Sequence, residues 1–393
     1  MARALSGRIG LIAIAIALIL CLFTAGSPNL LDGLNHFDSV LLLLIGIGLL
    51  RSYLIDKNLN QVVAGTLAQG WISGYVSRLF GLYTGLALFL SLALAPIIGS
   101  LARTSGLDAK RHAVIAMRAI CASMFLLPTT VGAGAVNASL HDFPLLKAVV
   151  FGSPIAVLSM WLSVIEGESN AVQGQLADRP SPTPADRFAL SSATAAFIVL
   201  AITIKVGLNA TTVSAIALAM TTTGCAGICL SHSVNDLSKR IEALISKTMP
   251  QITLFLASGL LMAAVSGFVP AARSALSDGM LDVLGASAVQ IFLITVVLPA
   301  LSVIGLHPML LWAIFFPPLH EVTHMPDLVE YLCWIFMFVS AQLISPVSIS
   351  VILTSASVER SSWEMSWGSH GRHIVMLTVP TATYLYLLDL VSI

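Results

Sequence analysis

The chain has 393 residues, of which 57% are hydrophobic and only 10% charged, with 19 basic and 19 acidic side chains that cancel. A soluble domain carries about 25% charged residues, so this composition, with mean hydropathy +0.94, describes a polytopic membrane protein and leaves no room for a large aqueous domain. Zero net charge also argues against a nucleic-acid partner.

Taken in chain order, apolar stretches long enough to span or re-enter the roughly 30 Å hydrocarbon layer fall at about 9–26, 38–55, 80–101, 113–135, 144–165, 188–206, 209–231, 250–269, 286–306, 308–318, 329–357 and 372–391. The first follows Arg3 and Arg8 and has the charge and length of a signal peptide. No small-residue cleavage site and soluble domain come after it, so it is expected to be an uncleaved span. Between Asn60 and Arg78, polar and apolar residues alternate at helical spacing, which suits an interfacial or packed helix. The piece 308–318 is too short to cross alone, and several of the other segments are expected to be re-entrant or broken. Basic residues gather at Arg51 and Lys57, at Arg103, Lys110 and Arg111, and at Lys239, Arg240 and Lys247. The positive-inside rule then puts these loops and the amino terminus in the cytoplasm, with the protein in the cell (inner) membrane.

One long polar stretch interrupts the apolar pattern, Gly167 to Arg187, and its prolines read as a linker. It divides the chain into an N-terminal repeat, 1–166, a linker, 167–187, and a C-terminal repeat, 188–393. Leu126-Leu127-Pro128-Thr129-Thr130 in the first half returns as Leu343-Ile344-Ser345-Pro346-Val347-Ser348 in the second, 218 residues on. Asn137 and Ser139 fall opposite Ser355 and Ser357 at the same offset. A second echo pairs the stretch around Gly48 with that around Gly259. Two halves of five or six segments in inverted topology would account for both, giving an all-α membrane protein of about ten to twelve transmembrane or re-entrant segments.

Proline inside a membrane helix removes a donor and frees a carbonyl, and such groups survive at membrane depth only where they line a cavity or meet a ligand. Half-helix N-termini favour an anion; unwound carbonyls and hydroxyls favour a small cation. The expected binding residues are therefore Pro128, Thr129, Thr130 and Asn137 from the first half and Ser345, Pro346, Ser348, Ser350 and Thr354 from the second, with His307 as a further polar point in an apolar run. The pattern points to a secondary transporter; no phosphate-cradling glycine loop is present, so the work would draw on an ion gradient, with no cofactor.

The order Ile252 to Leu261, then Ile304-Gly305-Leu306-His307-Pro308, then Leu343 to Ser348, together with Arg118 ahead of Leu127-Pro128-Thr129-Thr130, resembles permeases of the ion transporter superfamily, which includes citrate, gluconate and dicarboxylate carriers. The resemblance implies a small organic anion, expected to be a carboxylate, carried by symport with sodium or protons by alternating access in the lipid bilayer. Carriers resembling this one are often homodimers. The paired Ser-Asn-Thr signature of the superfamily's divalent-anion symporters is absent.

His320-Glu321-Val322-Thr323-His324 matches HExxH, the metal-binding helix of zinc proteases, and makes an intramembrane metalloprotease the alternative. Pro317-Pro318 before it and Pro326 after it leave about two turns for the helix the motif needs, so a structural role is expected and the protein is read as not an enzyme. Intramembrane charge is scarce. Arg118 is expected to snorkel to the cytoplasmic face, and the tryptophan-rich stretch Glu359 to His373 to be an anchoring loop at the interface. The five cysteines read as buried small hydrophobes.

Overall fold

The computed structural model describes residues 30–56, 75–90, 109–127, 130–140, 143–167, 184–231 and 234–391, with five isolated positions (12, 14, 15, 17 and 98). The first expected span, most of Asn60–Arg78, Pro128, Thr129, Cys21 and linker residues 168–183 lie outside these residues.

The described residues form helices and no strands, as an all-α integral membrane protein requires. In chain order they are α1 (Leu30–Asn35), α2 (Asp38–Asp56), α3 (Tyr75–Leu90), α4 (Ala109–Ala122), α5 (Val131–Ser139), α6 (Leu145–Gly167), α7 (Pro184–Gly207), α8 (Thr212–Ser231), α9 (Val234–Ala275), α10 (Asp278–Gly285), α11 (Ser287–Val303), α12 (Pro308–Val322), α13 (Asp327–Ile344), α14 (Ile349–Ser357), α15 (Ser362–Met365) and α16 (Trp367–Val391). Among the described residues six helical stretches are long and apolar enough to cross a bilayer, three of them joining two consecutive helices (α1 with α2, α13 with α14, α15 with α16), or seven if α10 and α11, bent by 59° at their junction, count as one span. The outward faces are apolar: Leu146, Val150, Val157, Trp161 and Ile165 form one stripe along α6. Water would not tolerate such a stripe; lipid requires it.

At the centre stands α13, whose side chains are buried along almost its whole length and include Trp334, Phe336 and Phe338. It packs on α5, α11 and α16, while α2 lies along α8 and α9 along α12. Close approach is built with small residues. Gly33 in α1 and Gly259 in α9 meet backbone to backbone, a Cβ on Gly259 falling 2.1 Å from the Gly33 carbonyl oxygen.

Several expected boundaries move. The stretch 113–135 is not one span: α4 passes into a 3-10 turn, Ser123–Phe125, and a separate α5 follows. The stretch 329–357 keeps its bounds as one apolar run, Asp327–Ser357, with the expected break at Pro346 separating α13 from α14. The piece 308–318 continues through Pro317 and Pro318 to Val322, because the two prolines withdraw donors without dislodging the buried Trp312 and Phe316 that hold α12. Helix α7 begins at Pro184, within the expected linker, where proline at the first turn loses no helical bond. The stretch Glu359 to His373 is mostly helical, and His370 and His373 turn inward rather than anchoring at an interface.

Candidate functional site

The half-helices that follow the two proline-marked segments are built alike. Thr130 and Ser348, 218 positions apart, are the N-caps of α5 and α14. Each holds extended backbone angles, and its hydroxyl accepts the N–H three residues on, from Ala133 and Val351. Both helices run nine residues and end with the cap N–H bonded four residues back, Leu140 to Val136 and Val358 to Thr354. A β-region residue with a short hydroxyl at the start of a helix is the standard way to satisfy an orphan amide, and here it recurs at the offset of the sequence echo.

These two half-helices meet a third. Helix α12 is capped by His307, whose Nδ1 accepts the Met309 N–H at 3.2 Å, with Pro308 in the first turn, where its missing donor costs nothing. The first turns of all three line one cavity: Gly132 from α5; Ser348 and Ile349 from α14; His307, Pro308 and Met309 from α12. The remaining walls are Leu44, Gln251, Leu254, Phe255, Phe338 and Gln342. No lining side chain is charged. His307 is 6% exposed, and its buried Nε2 has no hydrogen-bond partner. The partial positive charge of three helix N-termini thus converges where no carboxylate neutralises it.

Polar contacts fix the walls. Ser348 Oγ donates to the Gln342 carbonyl at 2.6 Å and lies 3.3 Å from Ser350 Oγ. Ser345 Oγ reaches the Leu306 carbonyl at 3.4 Å, tying the break to the segment before α12. On the first-half side Gly152 lets α6 pass close to the 3-10 turn that follows α4: a Cβ there would sit 2.2 Å from the Phe125 carbonyl oxygen. In this conformation only about 30 Å³ is reachable by the centre of a water-sized sphere, enough for a water or two and too little for an organic anion.

Of the residues expected from sequence, His307 and Ser348 line the cavity; Thr130 caps the helix whose Gly132 does. Ser345 and Ser350 brace its edge. Asn137 lies away from it, donating to the Phe143 carbonyl at 3.2 Å and closing the loop after α5, and Thr354 is buried with Oγ1 unpartnered, outside the lining. Gln251, Gln342 and Phe255 were not anticipated. Gln251 follows Pro250 inside α9, and this proline inside a long apolar helix was the signal that could have drawn attention to it.

The HExxH residues are drawn apart. Helix α12 ends at Val322, so His320 and His324 do not share a helical face. His320 stacks on Phe316 and donates through Nδ1 to the Glu330 carboxylate at 2.9 and 3.0 Å, while Glu321 pairs with Arg273 at 2.9 Å. The His324 N–H instead donates to the Gly285 carbonyl, and its side chain lines a separate polar hollow with Arg273, Asp278, Asp282 and Glu321. Among the described residues no three His, Cys, Asp or Glu side chains are grouped to hold a metal ion. Arg118 does not snorkel: it is 4% exposed and pairs with Glu166 at 2.6 Å.

Fold and cavity together define a polytopic helical membrane protein with two capped half-helix tips facing one central space. No family model and no curated protein matches the chain. Its structure is similar to that of the YdaH transporter of Alcanivorax borkumensis, described as having an unusual topology, with 14% sequence identity and TM-score 0.60 over 98% of this chain and 96% of that one. It is also similar to MtrF of Neisseria gonorrhoeae, placed in a class of antimetabolite efflux pumps, at 12% identity and TM-score 0.62 over 98% and 95% of the two chains. At such identities the likeness establishes the fold.

Proposed function

We propose that the chain is a secondary active transporter, not an enzyme, that moves a small organic anion by alternating access, with a carboxylate as the recognised group. The observation that carries this reading is the meeting of three helix N-termini, two of them from tips that repeat at one offset, in a cavity without a charged wall and with His307 Nε2 unpartnered. The fold shared with YdaH and MtrF supports transport; the narrower likeness to citrate, gluconate and dicarboxylate carriers finds no support in those comparisons. MtrF, as an efflux pump, makes export the direction to test alongside import.

In this proposal residues 1–166 and 188–393 are inverted repeats whose tips close on the substrate, with the amino terminus in the cytoplasm and a homodimer in the inner membrane. Because the closed cavity is too small for the anion, the half-helix tips must part to admit it. Amides in the first turns of α5 and α14 would then receive the carboxylate, and a sodium or proton gradient would drive the cycle.

The test is flux in proteoliposomes of the full chain. Labelled acetate, succinate and citrate are offered under an imposed sodium gradient or pH gradient, in both orientations. Movement of one of them above protein-free vesicles, reduced by Ser348→Ala and by Thr130→Val, supports the proposal. No movement of any of the three under either gradient refutes the carboxylate reading.

A further inference from the structure

A second buried polar cluster lies outside the cavity, where α4, α6 and α16 meet. Arg118 of α4 pairs through Nη1 with Glu166 Oε2 at 2.6 Å; its Nη2 donates to the Ser369 carbonyl at 3.0 Å and its Nε to His370 Nδ1 at 3.4 Å. His373 Nε2 is 3.2 Å from Ser159 Oγ, and its Nδ1 faces Glu166 Oε2 at 4.0 Å. Both histidines are fully buried, and Glu166 keeps 16% of its side chain exposed. Three polar atoms of the cluster have no hydrogen-bond partner: Glu166 Oε1, His370 Nε2 and His373 Nδ1.

An ion pair at such depth is expensive unless every lone pair is met, so a cluster with three orphan atoms is poor design for stability alone. Glu166 is also in the last turn of α6, where the helix end carries partial negative charge and works against a carboxylate. Two neutral tautomers fit the Ser159 contact: with hydrogen on Nδ1, Ser159 Oγ donates to Nε2 and the Nδ1–H points toward Glu166; with hydrogen on Nε2, a bare Nδ1 lone pair faces the carboxylate at 4.0 Å. The doubly protonated imidazolium satisfies both neighbours at once, Nε2–H toward Ser159 Oγ and Nδ1–H toward Oε2, and sets a positive charge beside the carboxylate.

We propose that Glu166 and His373 form the binding site of a coupling proton, which rests on the transporter reading above and names its driving ion. The proton arrives from water at the exposed edge of Glu166, is held between Nδ1 and Oε2, and leaves to water when the cycle reverses; no other bond forms or breaks. The charged or titratable groups that the described residues bring to it are Arg118 from α4 and His370 beside Arg118; α3 and α13, which also pack on α6, bring none within ion-pair distance. Sharing Oε2 with His373 loosens its hold on Arg118. One turn along α4, Cys121 Sγ touches the Gln342 side chain at 3.6 Å, and Gln342 lines the anion cavity, so the effect has a short physical path to the substrate.

The test separates the proton from the transport. Proton uptake by the purified full chain in unbuffered detergent solution is titrated between about pH 3 and pH 8, a range that covers protonation of both carboxylates and imidazoles. Wild type is expected to bind one proton more per chain than Glu166→Gln or His373→Gln. The double variant Arg118→Gln/Glu166→Gln keeps the buried charge balanced and is expected to lack the same proton, should the single change destabilise the fold. Equal uptake by wild type and all variants overturns the site. In proteoliposomes, labelled succinate, acetate or citrate flux should follow an imposed pH gradient in wild type and lose that dependence in the variants. Flux that follows sodium and ignores pH overturns the coupling role. A one-proton difference without flux of any probe leaves the proton site standing and refutes the carboxylate reading.

Discussion

Removing the Ser348 hydroxyl tests the reading of the second tip. Ser348 Oγ accepts the Val351 N–H and donates to the Gln342 carbonyl at 2.6 Å, so Ser348→Ala removes a helix cap and a tertiary bond together. A lost N-cap costs about 1 kcal/mol, and a hydrogen bond between membrane helices averages about 0.6 kcal/mol, which gives a destabilisation of about 1.5 kcal/mol. Thr130→Ala removes the cap on α5, whose hydroxyl makes no tertiary hydrogen bond among the described residues, so it should cost about 1 kcal/mol. Ser266→Ala, an exposed hydroxyl bonded only to its own helix, should change stability by less than about 0.5 kcal/mol. Equilibrium unfolding in mixed detergent micelles, monitored by helical circular dichroism, ranks the three. If Ser348→Ala proves no more harmful than Ser266→Ala, the capped-tip geometry is wrong, and the argument from converging N-termini falls with it. The same variant should lower carboxylate flux by about tenfold if the lost 1.4 kcal/mol or so is felt at the site.

Other consequences follow from separate parts of the structure. Gly259→Ala drives a Cβ into the Gly33 carbonyl, which as backbone cannot step aside, and should destabilise the fold by about 1–3 kcal/mol; Gly279→Ala, with nothing within 4 Å, should be neutral or stabilising by up to about 1 kcal/mol, and unfolding curves compare them. His320, at the end of α12 outside the spans, has its pKa raised above the ordinary imidazole value, first by the hydrogen bond to Glu330, against desolvation. A raised folded-state pKa means stability present below the ordinary value and lost as pH climbs through the raised one, so melting temperature should fall over that alkaline interval in wild type and stay flatter in His320→Gln. Because His320 and His324 are engaged with different partners, a strong zinc chelator should leave the melting temperature unchanged; a fall on chelation would reopen the protease alternative.

The tips were legible in the sequence because their chemistry is local. A hydroxyl residue shortly after a proline within an apolar run is a helix stop followed by a helix start, and both parts depend on residues a few positions apart. Finding that arrangement twice at one offset placed Thr130 and Ser348 before any tertiary contact was known. His307 ahead of Pro308 was visible for the same reason. Gln251, Gln342 and Phe255 were not, because their only distinction is which side of a long helix faces the cavity. In a bilayer both lipid and protein neighbours accept apolar faces, so hydrophobic periodicity does not report that side. The cluster at Arg118 was misread on similar grounds. Its partners are 48 and about 250 positions away; Glu166 fell just past the expected span 144–165, where nothing singled it out, and the run containing His370 and His373 looked like an interfacial loop. Tryptophan and charge together suggest an interface only until a buried guanidinium offers the other side chains a reason to turn inward.

The two buried polar centres ask different things of the same helix. Helix α4 carries Arg118 at its middle, enters the 3-10 turn at Ser123, and passes through the proline-marked break to the cap of α5 at Thr130. The ion pair to Glu166 holds α4 against α6 at Arg118, and the 3-10 turn that follows α4 meets α6 again where Phe125 lies against Gly152. Opening a closed space of about 30 Å³ to admit an anion then needs a displacement of the tip, not a rearrangement of the core. Substrate amides at one end and a proton site near the other would give the two ligands differential affinity for the same two positions of one helix, and that is the thermodynamic requirement for coupling.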